Sequence, residues 1–122
     1  MRLDYFAFLR NRSGMPSAPA HTQRRKQRAA VFKALGHPAR LQIVEELADG
    51  ERCVCELVDL VGLGWSAVSR HLSVLKAAGI LDDEKRGLQV YYRLALPCVK
   101  SFTACLDAAR RGEAVEVRRC CG

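Results

Sequence analysis

The stretch from Leu63 to Leu81 most constrains what this chain can fold into. It reads Leu63-Gly64-Trp65-Ser66-Ala67-Val68-Ser69-Arg70-His71-Leu72-Ser73-Val74-Leu75-Lys76-Ala77-Ala78-Gly79-Ile80-Leu81. Val68, Leu72 and Leu75 fall at i, i+4 and i+7, the spacing of a helix whose apolar stripe must pack on a core. Ser66, Ser69, Arg70 and Ser73 share a neighbouring face that carries donors, one cation and little bulk. Such a face can approach base edges closely: arginine matches guanine O6 and N7, and serine bonds to several bases. Gly79 is placed to cap the helix, and Ile80-Leu81 begins a new element. The same residues would also serve as the solvated face of a small bundle, so the flanking chain has to decide.

Upstream, Gly62-Leu63-Gly64 is a tight turn after a predicted short helix, Glu56 to Val61. Two helices joined in this way form a helix-turn-helix. Before them, the sequence predicts a helix from Gln23 to Leu35 and another from Pro38 to Ala48. Gly36 ends the first, His37 reads as a cap, and Pro38 suits the first turn of the second. Leu41, Val44 and Leu47 form the expected buried stripe of the second helix. The cations Arg24, Arg25, Lys26 and Arg28 sit at the wrong end for the helix dipole and read as solvated. Downstream, Ile80–Lys85 and Leu88–Leu94 read as two strands about a turn at Arg86-Gly87. Lys85 and Arg86 at the tip of this hairpin are candidates for phosphate contacts. Pro97 opens a last helix, and its stripe of Val99, Phe102, Leu106 and Ala109 needs a partner. With the first helix it makes the expected dimer surface.

The chain has 122 residues, room for one domain, and a formal net charge of +7, which favours a polyanionic partner. Residues 1–22 read as a flexible extension, 23–111 as the folded domain and 112–122 as a flexible tail. Met15 lies in the extension and is a candidate alternative start. No run of apolar residues is long enough to span a membrane, and the first ten residues lack the apolar core of a signal peptide. The expectation is a cytoplasmic protein whose six cysteines are thiols, open to soft metals or oxidants rather than structural disulfides. No base–nucleophile set, phosphate loop or paired-carboxylate cleft is evident, which argues against an enzyme.

Three motifs together resemble the ArsR/SmtB family of winged-helix repressors over roughly residues 24–110. Leu35-Gly36-His37-Pro38-Ala39-Arg40-Leu41 is similar to the family's first helix junction. Val68-Ser69-Arg70-His71-Leu72, followed by Leu75-Lys76-Ala77-Ala78-Gly79, is similar to its recognition helix. Cys53-Val54-Cys55-Glu56-Leu57 is similar to the metal box of its arsenic, antimony and cadmium sensors. The resemblance implies a mainly α fold with a small β-hairpin, in the order α-α-α-α-β-β-α, dimeric through its first and last helices. It also implies a repressor of operator DNA that lets go when an inducer binds. On this reading Ser66, Ser69, Arg70, His71 and Ser73 face the major groove, with Lys85 and Arg86 on the backbone. His71 is a candidate either for a DNA contact or for orienting the helix. The chain departs from the family at Gly64-Trp65, where many members carry a polar pair. Trp65 is left either to touch a sugar or thymine methyl or to fold back on the core.

The thiols carry the remaining chemistry. Residues i and i+2 point apart on a helix and together on a strand, so Cys53 and Cys55 chelate only from an extended segment. Soft thiolates select soft metals and metalloids. The expected inducer is As(III) or Sb(III), with Cd, Pb and Zn ranked behind. As(III) takes three thiolates. In the family's arsenic box the third falls where this chain has Val58, so Cys105 or Cys98 becomes the candidate third ligand. These two lie roughly 10 Å apart along one helix and cannot share a small ion. Cys120 and Cys121 form a separate pair in the tail. Two alternatives stand beside this reading. One is a thiol-redox or persulfide-responsive repressor using Cys98, Cys105 or the tail. The other is a soft-metal-binding protein without an operator.

Overall fold

The computed structural model describes residues 17–114. Within it run helix α1 (Ser17–Leu35), α2 (Pro38–Leu47), strand β1 (Arg52–Cys53), α3 (Val54–Val61), α4 (Trp65–Ala77), strands β2 (Leu81–Arg86) and β3 (Gln89–Leu94), and α5 (Cys98–Arg110). The tail pair Cys120 and Cys121 and the candidate start Met15 lie outside the described residues.

The element borders follow from local chemistry. α1 begins at Ser17, not at Gln23, so the linker-like residues just before Gln23 are helical. Pro19 is no obstacle there, because first-turn N–H groups have no intrahelical partner to lose. His37 caps α2 as expected: its backbone is extended, and Nδ1 accepts the Ala39 N–H at 3.1 Å. α3 begins at Val54, two residues earlier than the spacing predicts, and the Glu56 carboxylate reaches back to accept the Cys53 N–H at 3.3 Å. Gly62 ends α3 at φ 73°, a left-handed conformation that a β-carbon would strain. α4 closes as a Schellman motif, with Ile80 N–H on Leu75 O and Gly79 N–H on Lys76 O, both at 3.0 Å.

The hairpin turns at Gly87-Leu88, one residue later than expected. It has a further neighbour: β1 joins it, so three antiparallel strands lie in the order β1-β3-β2. Arg52 pairs with Tyr92 and Cys53 with Tyr91, while β2 and β3 pair from Leu81↔Leu94 to Arg86↔Gln89. The cysteine segment is therefore an edge strand of the wing.

One core holds these layers together: Ala34, Ile43, Val44, Leu47, Leu57, Val68, Leu72, Leu75, Ile80, Leu81 and Val99. The predicted stripe of α4 is buried in full. In α2, Ile43 takes the place expected for Leu41, which is half-buried. In α5 only Val99 is buried, and Phe102 and Leu106 remain about half exposed.

Leu57 anchors the short α3 to this core and has no solvent exposure. Leu57→Ala is expected to lower unfolding stability by about 2–5 kcal/mol, measured by urea denaturation. An unchanged midpoint would show that α3 is not held by its core contact.

Candidate DNA interface and thiol site

Burial of Val68, Leu72 and Leu75 fixes the rotation of α4 about its axis. Ser66, Ser69, Arg70 and Ser73 are consequently all exposed, together on the outer face. Trp65 stands at the helix start with 59% of its surface exposed; it does not fold back on the core.

His71 occupies the flank of α4, half-buried against the first turn of α2. Its ring lies 4.6 Å from that of His37, inclined at 43°. Burial holds its pKa below the ordinary histidine value, and the neighbouring His37, Arg40 and Arg70 push it the same way. Arg40 contributes a further sign of unmet donors: its Nε is buried without a hydrogen-bond partner.

The hairpin cations divide. Arg86 is gripped by both carboxylate oxygens of Glu51 and by Glu84 at 2.9 Å, and it lies 4.6 Å over the Tyr91 ring. These hydrogen bonds raise the Arg86 pKa and lower that of Glu51. Arg86, expected at the backbone, thus braces the wing onto the segment just ahead of β1. Lys85 is exposed, and among the described residues it meets no carboxylate. Glu51 escaped the sequence reading because no local pattern links residues 35 positions apart.

The cysteine pair differs from expectation in two respects, the first being that Cys53 and Cys55 are joined by a disulfide, with Cα atoms 5.4 Å apart. The sequence predicted thiols on an extended stretch. Instead Cys53 is the extended N-cap and Cys55 sits in the first helical turn, and this mixed backbone also brings the two sulfurs together. Cys53 is buried and Cys55 half-buried, with its Sγ 3.7 Å from Gln89 Oε1 on β3. Gln89 was not anticipated; the contact spans the sheet. Glu56, by contrast, carries a legible signal, three residues after a helix N-cap. Val58, at the position of the family's third thiol, packs on the core. Cys98 and Cys105 are half-buried on α5. Among the described residues no three histidine, cysteine or acidic side chains of one chain gather as a metal site.

The order of helices and the wing on a helix-turn-helix define a winged helix-turn-helix protein. Comparison with known proteins agrees. The model for "Bacterial regulatory protein, arsR family" matches residues 37–83. The transcriptional repressor SmtB of Mycobacterium tuberculosis is 44% identical over 82 residues, covering 66% of this chain and 61% of that protein. The match therefore spans somewhat under two thirds of that relative's length. The arsenical resistance operon repressor of Escherichia coli is 39% identical over 90 residues, covering 72% of this chain and 76% of the relative. A homodimeric winged helix-turn-helix DNA-binding domain from Mycobacterium bovis, solved in solution, superposes with a TM-score of 0.68 at 29% identity, over 86% of this chain and 99% of that one. The chain belongs to the ArsR family of bacterial regulatory proteins, a family of transcriptional regulators rather than enzymes. No helix among the described residues is long and apolar enough to cross a membrane.

The depressed pKa of His71 has a consequence for stability. The folded chain resists protonation there, so this contribution is complete above the ordinary value of 6.5 and is lost as pH falls through the lower folded pKa. Compared with wild type, His71→Gln is expected to lose less Tm between about pH 7 and pH 5. Parallel Tm–pH curves would show that His71 is not the group responsible.

Proposed function

We propose that the chain is a dimeric transcriptional repressor that grips operator DNA with α4 and releases it when As(III) or Sb(III) engages Cys53 and Cys55. The observation that carries this reading is the outer face of α4. Ser66, Ser69, Arg70 and Ser73 stand exposed above a fully buried stripe, on a chain of net charge +7. Arg70 and the serines address base edges in the major groove, and His71, on the flank, steadies the helix against His37. Lys85 supplies a phosphate contact at the wing, and Arg86 can add one only by exchanging its exposed carboxylates for DNA.

A second copy is supported by an apolar surface left over from the core. Phe32 on α1 and Phe102 on α5 pack with ring centroids 5.7 Å apart, yet are 58% and 49% exposed. Leu106, at 54%, extends the patch. These are the first and last helices of the domain, and the Mycobacterium bovis neighbour is itself homodimeric.

For the inducer, Cys53 and Cys55 as thiolates would supply two soft sulfur donors from adjoining elements. Cys105 or Cys98, from either copy, would supply the third. The arsenical resistance repressor of Escherichia coli among the relatives supports this choice of ligand. The pair lies between β1, which is hydrogen-bonded to the wing, and α3, the first helix of the helix-turn-helix. Release requires that the liganded pair favour a shape unfit for DNA, by a coupling of typically ~1–3 kcal/mol.

Two experiments test the reading on the DNA upstream of the chain's own gene. Arg70→Ala is expected to weaken binding by about 1–3 kcal/mol and relax sequence preference, and Lys85→Ala to reduce the salt slope by about one; unaltered affinity and slope would remove α4 and the wing from the interface. Reduced Cys53→Ser/Cys55→Ser protein is expected to bind that DNA as wild type does but to stay bound in arsenite. Release at the wild-type arsenite concentration would refute the assignment of the site.

A further inference from the structure

The disulfide divides its two sulfurs into unlike partners. Cys53 is 5% exposed and paired into the sheet through Tyr91. Cys55 is half-buried and lies in the first turn of α3. Cys55 is therefore the sulfur that a small solute can reach, and Cys53 the one closed off from solvent. The separation of 5.4 Å between the Cα atoms lies inside the usual disulfide range of about 4.4–6.8 Å, so the folded backbone accepts the closed pair.

We propose that Cys53 and Cys55 are a hydroperoxide-responsive dithiol, Cys55 attacking and Cys53 resolving, whose closure shuts the pair to As(III) while leaving the DNA-binding shape intact. The Cys55 thiolate attacks the terminal oxygen of a hydroperoxide. The O–O bond breaks, the alkoxide leaves and takes a proton as the alcohol, and Cys55 becomes a sulfenic acid. The Cys53 thiol then attacks the Cys55 sulfur, forming the S–S bond and releasing water. Two electrons from the two sulfurs reduce the peroxide, and the closed pair retains no thiolate to offer a metalloid.

The closed state is the one described here. In it the α4 face is exposed, β1 is hydrogen-bonded to β3, and Arg86 is fastened to Glu51. All of these features coexist with the S–S bond. Oxidation therefore silences the response to the inducer and does not itself free the DNA. That last consequence rests on the repressor reading above; the sulfur chemistry does not.

The test uses the full chain, reduced and then treated with hydrogen peroxide. The expected intact mass falls by two hydrogens, with Cys53 linked to Cys55 in the peptide map. Cys53→Ser protein is expected to trap a dimedone adduct on Cys55, and Cys55→Ser protein to keep Cys53 as an unmodified thiol. Phenylarsine oxide is expected to add to the reduced pair and not to the oxidised one, and dithiothreitol to restore the adduct. Cys53 and Cys55 thiols that survive peroxide, a dimedone adduct on Cys53, or an arsenical adduct on the closed pair would each overturn the proposal. On the upstream DNA, oxidised protein should remain bound in arsenite, and release by peroxide alone would overturn the claim that closure leaves the grip intact. If neither state binds that DNA, the repressor reading fails, and the masses still decide the sulfur assignment.

Discussion

The arrangement depends on one packing constraint: the stripe of α4 has to be dry. Val68, Leu72 and Leu75 meet Ile43, Val44, Leu47 and Leu57 from α2 and α3, with Ile80 and Leu81 closing from below. Removing such side chains from water contributes about 1.5–3 kcal/mol each, more than any surface contact α4 makes. That term alone sets the helix rotation. A turn of about 100°, one residue, would carry Leu72 toward solvent and draw the neighbouring polar residues inward. The exposed serines and Arg70 are thus presented by the core and not by any interaction of their own. A face held this way loses little further freedom when it meets a rigid partner, which suits recognition of stacked base edges.

The parts of the fold legible in the sequence were those governed by neighbours along the chain. The cap at His37-Pro38, the left-handed closures at Gly62 and Gly79, and the α4 stripe each rest on residues within one or two turns. The features that sequence spacing misjudged depend on distant partners or on a tolerance. α1 runs back to Ser17 because proline is harmless in a first turn. Ile43, not Leu41, faces inward because the axis of α2 is set by what crosses it. The chain is extended at Arg52–Cys53 as expected, but its place in the sheet, set by Tyr91 and Tyr92 alongside, has no local signal. The candidate site divides in the same way. The α4 face was readable from period alone, whereas the fates of Arg86 and Gln89 are decided by residues more than thirty positions away.

Net charge is a poor guide to where this molecule is basic. Lys76 is tied to Asp83 at 2.8 Å, Arg93 reaches Glu84 at 3.7 Å, and Arg86 is shared between Glu51 and Glu84. The wing therefore presents Lys85 rather than a row of cations. Exposed pairs of this kind contribute about 0–1 kcal/mol, so a phosphate can displace a carboxylate with little penalty. The pairs hold the hairpin in one orientation without removing its charges from use. The two histidines and Arg40 differ, because they are crowded together with no carboxylate among the groups that act on His71. Such a corner is relieved by a nearby anion, and it adjoins the helix that faces DNA in the reading given above.

The placement of the sulfurs gives the proposed inducer site a short route to both halves of the DNA-binding unit. Cys53 is at once the last residue of β1 and the cap of α3, so no flexible residue separates wing from helix-turn-helix. Its neighbour Cys55 is helical, and the two sulfurs meet with the cap extended and the turn wound. A short bond between them preserves that combination of backbone states. In the proposed inducer-bound state, three longer bonds to a pyramidal ion, with one donor drawn from elsewhere, would impose a different separation and direction on the same two side chains. Because the cap is shared, a change at the sulfurs cannot be absorbed by the loop. On that proposal it would appear as strain in the β1–β3 pairing or in the first turn of α3, the elements that join the wing to the helix-turn-helix.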